Sequence, residues 1–224
     1  MALGENVLSG SLLPRLSQLA LFFAPGTFQT LQVAAGVKQV LSGLFSVEPT
    51  VLPSDAPVEV PRILMQERGV GQLTVGYARA DLILEWRADQ SWRDRVTALS
   101  EELARYFVEQ ARLKVQRLGF VVTFGVAEDI NLEAIRSRYV AVGKMLDAQE
   151  IGIAWLRRTK VQGILVNRWV RFSISSLPGG DRSVVIDTNT LPEDQLDLDA
   201  TTVKKIVETC LDQLRSDAGA ILEW

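Results

Sequence analysis

The strongest constraint on this chain is the order in which its apolar periodicities change. A short extended run, a helical stripe, three extended runs and a second helical stripe occupy residues 18–116, and the same succession occupies 119–218. The extended runs are joined by Gly- and Pro-containing turns, which favours antiparallel hairpins over a doubly wound parallel sheet. The expectation is an α+β fold of mainly antiparallel sheet or sheets with four helices. The order is compatible with two β-α-β-β-β-α pseudo-repeats. It is equally compatible with chance periodicity, because the halves share no convincing residue identity. The expected organisation is an N-terminal arm over 1–17, a first α+β half over 18–116 and a second over 117–224, the halves able to form one compact domain.

Leu19, Leu21 and Phe23 predict a short buried strand, stopped by Pro25-Gly26. Thr27 can cap a helix reaching about Phe45, with Val33, Val37, Val40 and Leu44 on one stripe and Gly36 and Gly43 weakening it. Pro49, Pro53 and Pro57 mark a connector. Val58–Glu67, a segment from Leu73 to Tyr77, and Ala80–Arg87 read as extended, with Gly69-Val70-Gly71 as a hairpin turn. Ser91 and Asp94 form a capping-box-like pair before Trp92, Val96, Leu99, Leu103 and Tyr106, which recur at helical spacing. Phe120–Phe124 is apolar on both faces. Asp129 or Asn131 begins a helix with Leu132, Ile135, Tyr139, Val142 and Leu146 inward. Ile151–Lys160, Ile164–Ser175 and Ser183–Thr188 are extended. A last helix carries Val203, Ile206, Val207, Cys210, Leu211 and Leu214 inward, with Gly219 ending it and Ile221-Leu222 as a short final strand.

The chain has no histidine. That removes Ser-His-Asp and Cys-His nucleophile pairs, His-ligated haem and the ordinary zinc site. Carboxylate and lysine chemistry survive. The single cysteine, Cys210, falls on an apolar stripe and reads as an inert core thiol. A net charge of -3 argues against duplex nucleic acid as a partner. No secretory signal is visible, and no apolar run approaches the roughly 18 residues of a membrane span, so a cytoplasmic protein is expected.

No phosphate loop is present: Gly69-Val70-Gly71 lacks a third glycine and a following helix. The acidic loop Glu193, Asp194, Asp197, Asp199 lacks EF-hand spacing, and its last acid is placed to cap a helix. Asp187 and Glu85 are strand carboxylates whose separation sequence does not give. No catalytic, cofactor-binding or metal-binding residue is assigned, and no cofactor is expected.

One surface stands out. In the run from Ile164 to Ser175, alternation puts Ile164, Val166, Arg168, Val170, Phe172 and Ile174 on one face, a core pattern with one arginine in it. Asn167, Trp169 and Arg171 lie on the other with Leu165 and Ser173, and the preceding run adds Arg158 and Lys160. Trp and Arg are frequent interface anchors. Arg158, Lys160, Asn167, Trp169 and Arg171 are therefore the candidate interface or ligand face, the alternative being a half-solvated sheet. Because Phe120–Phe124 is apolar on both sides, something must cover a second sheet face: the rest of the chain, or another subunit.

The stretches Leu21-Phe22-Phe23-Ala24-Pro25, Phe28-Gln29-Thr30-Leu31 and Arg117-Leu118-Gly119-Phe120, taken in this order of elements, resemble a sporadically distributed family of uncharacterised bacterial proteins. The resemblance would span most of the chain and implies no activity. Two functions are expected. One is a non-enzymatic binding or assembly protein, self-associating or part of a bacterial complex, with a protein partner or its own copy. The other is a small-molecule binder or histidine-free enzyme, with a pocket between sheet and helices holding an anionic group on Arg168, Trp169 or Arg171.

Overall fold

The computed structural model describes residues 12–53, 55–86, 91–126, 150–175, 180, 182–194 and 196–222. Within them, β1 (Leu12–Phe23) leads to helix α1 (Thr30–Val40), then to β2 (Thr50–Val51), β3 (Ile63–Glu67), β4 (Gly71–Val75) and β5 (Arg79–Glu85). Helix α2 (Trp92–Arg105) widens into one π turn over Tyr106–Gln110 before β6 (Val115–Val126). The strands β7 (Glu150–Val161), β8 (Ile164–Ser175) and β9 (Arg182–Thr190) precede helix α3 (Ala200–Leu222).

All nine strands join one antiparallel sheet in the order β2-β3-β4-β5-β1-β6-β9-β8-β7. This corrects the expectation of four helices in two matching β-α-β-β-β-α phrases. The described residues are mainly sheet, with three helices. The first half supplies five strands and the second four, and their lengths differ. The β7–β8 hairpin runs twelve residues a side, because alternation continues unbroken to a two-residue turn, whereas β3 and β4 stop at five. The helix expected from Asp129 or Asn131 to Leu146 lies outside the described residues.

Local rules account for most element ends. Gln162 and Gly163 both have positive φ (52° and 80°), the geometry of a type I′ turn whose twist suits a hairpin, and only the second position is glycine. Asp199 Oδ1 accepts the Thr202 N–H at 2.7 Å and caps α3. At α2 the capping box does not close, since Ser91 makes no side-chain cap hydrogen bond. The first strand starts at Leu12, well before Leu19, because Pro14 is accommodated at a register irregularity between Pro14 and Leu16. The last helix continues through Gly219 to Leu222, so no final strand forms there.

The core lies on one face of the sheet. Leu19, Leu21, Phe23, Leu118, Phe120 and Val122 in the central strands, and Val166, Val170, Phe172, Val184 and Ile186 in β8 and β9, are nearly or completely buried. Over them lie Val33 and Val37 of α1, Val96 and Leu103 of α2, and Val203, Ile206, Val207, Cys210 and Leu211 of α3. Each such Leu, Ile, Val or Phe contributes about 1.5–3 kcal/mol by leaving water. Two arginines are 2% exposed. Arg62 donates to the carbonyls of Pro53 (2.9 Å) and Ala56 (2.7 Å), which ties the proline-rich connector to the sheet. Arg168 donates to Thr188 Oγ1 at 3.0 Å and to the Cys210 carbonyl at 3.3 Å, linking sheet to α3.

Gly36 is a packing device rather than a helix flaw. A Cβ there would lie 2.1 Å from the Tyr106 ring, whose hydroxyl donates toward the Gln32 and Val33 carbonyls. A Cβ at Gly43 would meet nothing within 4 Å. Gly36→Ala is expected to lower stability by about 1–3 kcal/mol through overpacking, despite alanine's better helix propensity. Gly43→Ala is expected to be neutral or stabilising by up to about 1 kcal/mol. Urea denaturation of the two variants checks this, and equal effects would contradict it.

Candidate protein-interaction face

Residues paired across antiparallel strands share a face. Trp169 pairs with Leu156 and Asp187, Asp187 with Val121, Val121 with Gln18, and Gln18 with Ile83. This row crosses the face opposite the core. Along it the residues are half-buried or exposed, while their strand neighbours pointing the other way are buried in β5, β1, β6, β9 and β8; in the edge strand β7, Trp155 is half-buried and Arg157 exposed. Leu13 (47% exposed), Leu16, Phe22, Leu64, Ile83, Val121, Leu156 (43%), Leu165, Trp169 and Val185 all belong to it. Among the described residues, the three helices lie on the core side, and none covers this face.

The structure brings the sequence-derived candidates together. Arg158 and Asn167 are directly opposite, and Arg158 Nε donates to Asn167 Oδ1 at 3.2 Å. The Arg171 guanidinium lies 5.6 Å from the Trp169 ring centre, a cation–π distance. Arg171 also reaches Asp187 Oδ2 at 3.4 Å, and the Asn189 amide donates to the other Asp187 oxygen. Lys160 is exposed opposite Leu165 at the turn end of the hairpin. Arg168 is not part of the group. It points into the core, so Arg168 on one side and Trp169 and Arg171 on the other do not share a pocket between sheet and helices. Glu85 and Asp187 are on β5 and β9 with β1 and β6 between them, so they form no carboxylate pair.

A second aromatic–arginine group on the same face escapes sequence reading. Phe22 lies under the guanidinium groups of Arg79 (5.0 Å) and Arg117 (4.6 Å). Arg79 pairs with Asp81, which also accepts from Gln18 Nε2 at 2.8 Å. The only sequence signal was Phe22 out of phase with Leu21 and Phe23. Its partners come from strands that sequence alone does not place beside β1.

Two clefts carry charged and polar side chains. One of about 580 Å³ between α2 and α3 is crossed by Arg93–Asp212 (2.8 Å) and Lys204–Glu101 (2.8 Å). Another of about 420 Å³ lies at the end of β3, β4 and β5 beside Gln66, Gln72 and Glu85. Neither is lined by Trp169 or Arg171. No group of His, Cys, Asp or Glu suited to a metal ion occurs among the described residues. No described helix is long and apolar enough to cross a membrane.

No protein-family model and no curated protein matches the chain. Among solved structures, a rolling circle replication initiator protein from Geobacillus stearothermophilus is 13% identical with a TM-score of 0.37. The match covers 94% of this chain and 85% of that one. At that score it carries no argument about fold or function.

Three carboxyls sit below their ordinary values. A hydrogen bond from the Ser46 backbone N–H lowers Glu67, one from Lys204 lowers Glu101, and one from the Thr202 backbone lowers Asp199. The Glu101 hydrogen bond raises Lys204 in return. Depressed folded-state values stabilise above the unfolded pKa, and that contribution is lost as pH falls through the folded value. Without histidine, no side chain of unperturbed pKa titrates between about pH 5 and 8. Stability measured by urea denaturation is therefore expected to be flat from about pH 6 to 8 and to fall progressively below about pH 4. A steep change between pH 6 and 7 would contradict this.

Proposed function

We propose that the chain is a non-enzymatic assembly protein that self-associates through the β7–β8 side of its sheet. The observation carrying the reading is the sheet face that no described helix covers. Apolar and aromatic side chains cross it, and Arg158, Lys160, Asn167, Trp169 and Arg171 gather at one margin. A Trp half-buried under an Arg, ringed by Asn and Asp, has the composition of an interface anchor with a polar rim. Arg171 is already engaged by Asp187, whose carboxylate offsets part of the positive charge that an anion would meet; this favours a protein surface over a small anionic ligand. Membership of a larger bacterial complex belongs to the same proposal.

Light scattering over a concentration series tests it. Wild type is expected at a multiple of its 24.8 kDa chain mass. The Trp169→Ala, Arg171→Ala variant is expected to dissociate at about tenfold higher concentration or more, the loss of roughly 1.4 kcal/mol or more. A wild type that stays monomeric at every concentration contradicts the reading.

A further inference from the structure

We propose that a second copy of this chain pairs antiparallel with the free edge of β7, with the two-fold axis through Trp155. This rests on the self-association reading and assigns it a contact.

The two edges of the sheet are treated differently. At one end β2 is two residues long and lies between Pro49 and Pro53, which leaves little to pair with. At the other end β7 runs twelve residues and, among the described residues, pairs on one side only. The type I′ turn makes Val161 and Ile164 the hydrogen-bonded pair that closes the hairpin. Stepping back in twos, the odd-numbered residues of β7 direct N–H and C=O to β8. Glu150, Gly152, Ala154, Leu156, Arg158 and Lys160 direct theirs outward, and all six are exposed. Among the described residues no backbone hydrogen bond reaches this edge.

An antiparallel partner must set outward residues against outward residues. With the axis at Trp155, Glu150 faces Lys160, Gly152 faces Arg158 and Ala154 faces Leu156. All six are paired, and both ends of the ladder match opposite charges. An axis at Ala154 leaves Lys160 unpaired. An axis at Leu156 leaves Glu150 unpaired and sets Trp155 against Arg157. Charged side chains usually guard an edge against pairing. In this register Arg157 faces Ile153 and Arg158 faces Gly152, so no like charges are opposed. Trp155, half-buried at the margin of the core, meets its own copy at a non-hydrogen-bonded position, where Cβ atoms approach to about 4.5–5.5 Å.

The test combines light scattering with oxidation of Trp155→Cys and of Thr159→Cys, Cys210 being buried. Trp155→Cys is expected to form a disulfide-linked dimer, and Thr159→Cys, opposite Ile151, is not. Glu150→Lys and Lys160→Glu are each expected to weaken dimerisation about three- to tenfold, and their combination to restore it. A wild-type dimer with no Trp155→Cys cross-link and no rescue by the charge swap overturns this contact and leaves self-association standing. A monomeric wild type overturns both. If Trp155→Cys itself dissociates, rescue or its absence in the charge swap decides.

Discussion

The pairing of β1 with β6 is the interaction on which the rest of the structure depends. These strands lie in opposite halves of the chain, twelve residues each, and their ladder runs from Leu12 opposite Val126 to Phe23 opposite Val115. Every other strand is placed by reference to them: β5 on the outer side of β1, β9 on the outer side of β6. The core-facing side chains of the pair, from Leu19 and Leu21 to Phe120 and Val122, form the floor on which the helices rest. Closing a contact across about a hundred residues costs loop entropy that grows only slowly with length, and the burial along the pair offsets it.

A sheet this wide with its described helices on one side sets the functional question. On the core side the buried Arg168 is bonded to Thr188 and to the Cys210 carbonyl. The other side carries two arginine–aromatic groups, one at Phe22 and one at Trp169, separated by Val121 and Val185 and by Gln18, Asp187 and Asn189. Such a surface is more apolar than a purely solvated sheet and more polar than a core, and the proposed self-association rests on that composition.

Much of this was legible in the sequence wherever the physics is local. The stripes of α2 and α3 follow from 3.6-residue spacing. The β7–β8 hairpin follows from period-two alternation around Gln162-Gly163, which is why Arg158, Asn167, Trp169 and Arg171 could be grouped beforehand. What depends on long-range pairing was hidden. Pro14 reads as a break until β6 offers it an irregular register. Gly36 reads as a weak point until Tyr106, on another helix, lies across it. Phe22 acquires Arg79 and Arg117 only because β5 and β6 flank β1. Ser91 and Asp94 have the spacing of a capping box, yet the cap bond is not made.

The most direct measurement is native-state amide hydrogen exchange, residue by residue. A single sheet organised on β1–β6 requires the amides of Leu19, Leu21, Phe120 and Val122 to be among the slowest and to share one opening free energy. It requires the outward amides of β7, measured at a dilution where the chain is monomeric, to be among the fastest in the sheet. Slow exchange in one half combined with independent, faster opening of the other would contradict the account, because it would mean that β1–β6 joins two separately folding units rather than founding one.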